Sequence, residues 1–129
     1  MTGNKCLLDT SIVIHLFKNA QQASVLLADY QEVYINSTAI GELYFGAYSS
    51  SNLQKHISQI QSFLHNCNTI HVTAETAVIY AQLKSELRTN GTPIPENDIW
   101  IAASSVEHSL PLFTSDNHFK FLKLSLISL

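Results

Sequence analysis

Short apolar runs alternate along the chain with amphipathic stretches of helical period. Lys5–Leu8 reads as a short strand and is followed at once by Asp9, Thr10 and Ser11. Thr10 or Ser11 is expected to cap a helix carrying Ile12, Val13, Leu16 and Phe17. The Ala/Leu content of residues 21–29 predicts a second helix. Val33, Tyr34 and Ile35 form the next strand, and Ser37 is expected to cap a helix with Ile40, Leu43, Tyr44 and Ala47 on one face and Glu42 in its first turns. The polar run at 49–52 ends that helix and starts another, with Leu53, Ile57, Ile60 and Leu64 in helical register. Residues 69–72 are strand-like, and Thr73 caps a long helix to about Asn90, stopped by Gly91. A rigid loop at 91–95 feeds a helix carrying Ile99, Ala102, Ala103 and Val106. Leu112, Phe113 and Thr114 then form a strand, residues 115–118 a loop, and residues 124–127 a last edge strand.

Strands alternating with helices predict a central, mainly parallel sheet covered on both faces. The expected class is α/β, a three-layer α/β/α arrangement in one domain over residues 1–129. Hydrophobic residues make up 46% of the 129 and charged ones only 13%, against a usual charged share of about 25%. That balance excludes a disordered chain. No apolar run approaches the roughly 20 residues of a membrane span, and Lys5 is followed by no apolar stretch with a signal-peptide cleavage site. A cytoplasmic protein is expected. Cys6 and Cys67 form no ligand cluster, and Cys6 lies in an apolar run as a small buried hydrophobe does.

The net charge of −3 excludes a polycation that binds nucleic acid by bulk attraction. The placement of the acids matters more. Of the four aspartates, Asp9, Asp98 and Asp116 lie at the edges of strongly apolar segments, an expensive place for a carboxylate. In a parallel α/β sheet, ligands bind at the carboxyl ends of the strands. Asp9 follows the first strand and Asp116 the strand ending at Thr114, while Glu42 and Asp98 stand early in helices that begin at the same edge. Four convergent carboxylates repel one another unless a cation joins them. Mg²⁺ and Mn²⁺ prefer oxygen ligands and promote phosphodiester hydrolysis. Without those four acids the remaining charge is +1, so a small acidic nuclease is no contradiction.

Each residue also has an ordinary reading. Asp9 suits a helix cap or turn, Asp98 a first helical turn, and Asp116-Asn117 a plain turn. Glu42 is an ordinary helical glutamate apart from its apolar neighbours. Glu96 reads as a helix-start charge or polar contact, Asn97 as a helix cap, His118 as a solvated loop histidine, and Trp100 as core rather than a stacking platform. The six histidines show no HExxH spacing, and the basic residues are too scattered to mark an RNA path.

Leu7-Leu8-Asp9-Thr10-Ser11, Gly41-Glu42-Leu43-Tyr44-Phe45-Gly46, Asn97-Asp98-Ile99-Trp100-Ile101-Ala102-Ala103 and Thr114-Ser115-Asp116 together resemble PIN-domain ribonucleases. Within that family the chain looks like the VapC toxins of bacterial type II toxin–antitoxin pairs, over essentially its whole length. The resemblance implies a Mg²⁺- or Mn²⁺-dependent endoribonuclease cutting structured RNA such as transfer RNA or ribosomal RNA. It implies Asp9, Glu42, Asp98 and Asp116 as catalytic and metal-binding acids. One of them, or an activated water that they orient, would prepare the attack. Thr10 or Ser11, and Thr114, would position acids or waters by hydrogen bonds. It further implies a homodimer and a VapB-like antitoxin whose C-terminal segment wraps the toxin. Leu43, Tyr44, Phe45 and Tyr48, with the Leu53/Ile57/Ile60/Leu64 stripe, are candidates for that groove, although core packing accounts for most of them. The transfer-RNA-cutting enterobacterial subgroup differs around its third acid, so its substrate is not carried over.

Rival classes fare worse. A response-regulator receiver needs a mid-chain aspartate, and none lies between Asp29 and Asp98. A haloacid-dehalogenase-type phosphatase needs an aspartate where Ser11 stands, and no phosphate-binding glycine loop occurs. The remaining alternatives are a PIN-fold nuclease outside toxin–antitoxin biology and a non-catalytic PIN-like binding module.

Overall fold

The computed structural model describes residues 4–18 and 21–128. Five strands and six helices follow in the order β1 (Lys5–Leu8), α1 (Thr10–Phe17), α2 (Gln21–Leu27), β2 (Glu32–Asn36), α3 (Ser37–Tyr48), α4 (Leu53–Leu64), β3 (Asn68–Ile70), α5 (Ala74–Thr89), α6 (Glu96–His108), β4 (Leu112–Thr114) and β5 (Leu126–Ser128). The strands pair in the order β3-β2-β1-β4-β5, all parallel. This is the α/β class expected, with helices flanking a parallel sheet.

β1 lies at the centre, and Cys6, Leu7 and Leu8 are all fully buried. A strand covered on both faces cannot alternate apolar with polar residues, which is why its sequence is a continuous apolar run. Burial pushes the Cys6 thiol up to about 12, and both cysteines are free. The chain leaves β1 toward β2 on one side and returns through β4 on the other, so the strand order reverses at β1. A crevice opens at such a switch point.

Local chemistry places several helix boundaries. At α5, Thr73 caps the helix and exchanges bonds with Thr76 in a capping box. The other end closes in a Schellman turn: Gly91 N–H bonds the Arg88 carbonyl and Thr92 N–H the Leu87 carbonyl. Gly91 has φ +68°, the left-handed conformation that glycine adopts freely. Asp98, Ile99 and all residues of α6 from Ile101 to Ser105 are buried, and the helix packs against α3 and α5. Lys84 on α5 pairs with Glu96 at its first turn, at 3.0 Å.

Three expected caps are corrected. The cap of α1 is Asp9, not Thr10 or Ser11, and its side chain makes no capping bond. The cap of α3 is Asn36, not Ser37. Asn97 does not cap α6, because Pro95 holds that position. Trp100 is half-buried and stacks on Tyr80 with ring centroids 3.9 Å apart. Residues after Asn117 turn into a short 3-10 helix, His118–Phe121, anchored by the buried Phe119.

Candidate metal centre

Asp9 leaves the end of β1 with its backbone N–H bonded to the Phe113 carbonyl of β4, 3.0 Å away. The side chain is only 3% exposed. Ser11 Oγ and Thr114 Oγ1 both donate to its Oδ2, at 2.7 and 2.8 Å. Each hydroxyl in turn accepts a backbone N–H from the loop after β4: Ser115 N–H reaches Ser11 at 3.1 Å and Asp116 N–H reaches Thr114 at 2.9 Å. A hydroxyl that accepts on one side is oriented to donate on the other. Two loop amides thereby aim two protons at one oxygen of Asp9. Among the described residues no protein donor meets the other oxygen, Oδ1, which keeps its lone pairs for a ligand.

Glu42 stands on α3, and Thr10 Oγ1 donates to its Oε1 at 2.8 Å. Asn36, fully buried at the β2–α3 junction, ties that helix to α6. Its Oδ1 accepts Thr38 N–H, and its amide donates to Ser104 Oγ. The one sign of Asn36 in the sequence is its position between a β-branched strand and a helix.

Asp98 lies in the first turn of α6 and is 8% exposed. Burial, the largest cause, raises its pKa from 3.8 to about 6; the His118 bond opposes this, while the charges of Asp9, Asp116 and Glu42 add to it. That all three other candidate acids act on Asp98 places the four within one electrostatic neighbourhood. His118 is the residue most clearly missed. Its Nδ1 lies 3.1 Å from Asp98 Oδ2 and 2.9 Å from Asp116 Oδ1. An Asp-Asn-His turn was visible in the sequence, but not the direction of the imidazole.

The structure therefore brings all four predicted acids and the three predicted hydroxyls Thr10, Ser11 and Thr114 to one sheet edge. Asn97 lines the same crevice with Thr10, Thr38, Glu42 and Phe45. Glu96 is turned to Lys84 instead. Among the described residues no Lys or Arg forms an ion pair with any of the four acids. Oxygen donors from two buried and two half-buried carboxylates, with no Lys or Arg paired to them among the described residues, fit a hard divalent ion. Beside Glu42 runs an apolar groove of ≈ 270 Å³ between α1, α3 and α4, lined in part by Ile14, Phe17, Leu43 and Ile60 and edged by Lys18 and Lys55. Of the apolar candidates for a partner groove, Leu43 and Ile60 are buried, while Phe45 and Tyr48 are 74% and 69% exposed.

Residues 6–123 match the PIN domain family. Ribonuclease VapC2 of Haemophilus influenzae is 30% identical over 116 residues, covering 87% of this chain and 86% of its own. The tRNA(fMet)-specific endonuclease VapC of Shigella flexneri is 28% identical over 115 residues, with 87% and 86% covered. In three dimensions the chain superposes on the structure of VapBC2 from Rickettsia felis bound to a fragment of promoter DNA. The TM-score is 0.87 at 26% identity, over 96% of this chain and 98% of that one. The chain belongs to the PIN-domain family and, within it, to the VapC ribonucleases.

Proposed function

We propose that the protein is a divalent-metal-dependent endoribonuclease, the toxin of a type II toxin–antitoxin pair, and that Asp9, Glu42, Asp98 and Asp116 form its catalytic metal centre. The observation that carries this reading is the meeting of four carboxylates from four separate segments, none paired with a Lys or Arg among the described residues. Mg²⁺ or Mn²⁺ bound there supplies Lewis-acid polarisation of a phosphoryl oxygen and acidifies water.

The chain's own residues supply orientation. Ser11 and Thr114 hold Asp9 by one oxygen and leave the other for a ligand, and Thr10 fixes the carboxylate of Glu42. Asn36 keeps α3 and α6 in register, so that Glu42 and Asp98 face the same space. With most of its rotamers already fixed, the centre loses little entropy when substrate and ion arrive.

The protein acts in the cytoplasm on structured RNA, transfer RNA or ribosomal RNA, as a homodimer. A VapB-like antitoxin restrains it, with an apolar segment in the α1/α3/α4 groove against Phe45 and Tyr48. The groove's contact with Glu42 supports the idea that an occupant would also obstruct the acids.

Cleavage of total RNA by the purified chain, free of antitoxin, tests the central part. Discrete fragments are expected with Mg²⁺ or Mn²⁺, none with EDTA, and a loss of about a thousandfold or more in Asp9→Asn, since a Lewis-acid site is worth several kcal/mol. Cutting that persists in EDTA or in the variant would overturn the assignment.

A further inference from the structure

The contact of His118 with two acids is more than an ion pair requires. One imidazole nitrogen carries at most one proton, so Nδ1 can donate along a good axis to Asp98 or to Asp116, but not to both. Yet both oxygens stand at bonding range, 3.1 and 2.9 Å. Around an octahedral ion with bonds of about 2.1 Å, neighbouring donors stand about 3.0 Å apart. The three donor atoms of Asp98, Asp116 and His118 all lie within 4.8 Å of one another, inside the span of one coordination shell. The backbone holds this arrangement from both sides: His118 N–H bonds Asp116 Oδ1 at 2.9 Å, and buried Phe119 pins the following turn.

We propose that His118 is a direct ligand, through Nδ1, of a divalent ion held by Asp98 and Asp116, and that it gives the centre a preference for Mn²⁺ over Mg²⁺. This rests on the metal-dependent reading above and goes beyond its four carboxylates. Mg²⁺ demands oxygen ligands and sheds water reluctantly, whereas imidazole nitrogen suits first-row transition ions. Replacing one oxygen of an all-carboxylate shell by nitrogen therefore costs Mg²⁺ more than Mn²⁺. The bare ions can be compared without any RNA.

The test is Mn²⁺ binding to the full chain, read by pulsed EPR and by calorimetry, with Mg²⁺ titrated in parallel. In the wild type, bound Mn²⁺ is expected to show coupling to a directly coordinated ¹⁴N, which His118→Ala removes. The variant should weaken Mn²⁺ by at least about tenfold and Mg²⁺ by less than about twofold, since even an outer-shell partner of a metal is worth tenfold or more. His118 is nearly half exposed, so the truncation leaves the core intact, and His118→Gln serves as a second variant that keeps a polar side chain. Bound Mn²⁺ without nitrogen coupling, or equal changes for both ions, would sink the His118 assignment and leave the four-acid centre standing. Failure of the wild type to bind either ion would overturn both.

Discussion

Asp9 and Asp98 both stand buried at the same sheet edge, and the chain treats them in opposite ways. Asp9 is the more deeply buried, yet two hydroxyls oriented by loop amides replace the water it has lost. Among the described residues Asp98 has only the half-exposed His118 as a bonding partner, and it faces three other carboxylates. In the first corner one carboxylate oxygen is fully engaged as folded and the other is left free for a ligand. The second holds an uncompensated charge that a cation would relieve. Stability and the proposed metal binding are thus divided between two corners of one edge, β1 and β4 supplying the rigid half and α6 with the turn after β4 the electrostatically loaded half.

The contrast can be broken at either corner. Thr114→Val removes a donor from Asp9 and the acceptor for Asp116 N–H while keeping the shape of the side chain. It is expected to cost about 2–3 kcal/mol in urea unfolding, because a buried carboxylate loses a charge-assisted bond. A change within about 0.5 kcal/mol would mean that Asp9 is not held as described.

Asp98→Asn should act in the opposite direction and stabilise the metal-free chain by about 2 kcal/mol at pH 7. The folded pKa of about 6 lies above the ordinary 3.8, so the native state binds the proton more tightly than the unfolded one. The associated stability is present below pH 4 and is lost as pH rises through 6. Unfolding of the wild type in EDTA, followed from pH 4 to 7, should show that slope, and Asp98→Asn should flatten it. An unchanged slope would place the loaded charge elsewhere. The smallest effect belongs to a pair outside the contrast. Lys84→Ala removes the half-exposed bridge to Glu96 and should move stability by no more than about 0.5 kcal/mol.

Much of this was legible before the fold was known. Element order followed from apolar runs and their period, since β1 and α6 must be buried to fold at all. The four acids were legible because strand ends and helix starts share one edge in a parallel sheet, and Thr114 came from the resemblance of Thr114-Ser115-Asp116 to the family's motif. What failed was finer. Several of the residues 9–11 and 36–38 can cap a helix, and local propensity does not choose among them. Asn36 takes the α3 cap because its amide also reaches Ser104 across the fold, and Asp9 keeps its side chain for Ser11 and Thr114. His118 read as a solvated loop residue because the direction of its ring depends on α6, twenty residues earlier in the chain. Trp100 finds its partner in Tyr80 of α5, a contact that periodicity within α6 cannot supply.

Thermal unfolding at pH 7 with and without Mn²⁺, for the wild type and for Asp98→Asn, tests the division of the site most directly. Mn²⁺ should raise the melting temperature of the wild type and EDTA should reverse the gain; at a hundredfold excess over the dissociation constant, binding contributes about 2.7 kcal/mol. Asp98→Asn should begin higher and gain little. A variant that melts no higher than the wild type in EDTA, or that gains as much from Mn²⁺, would contradict the account.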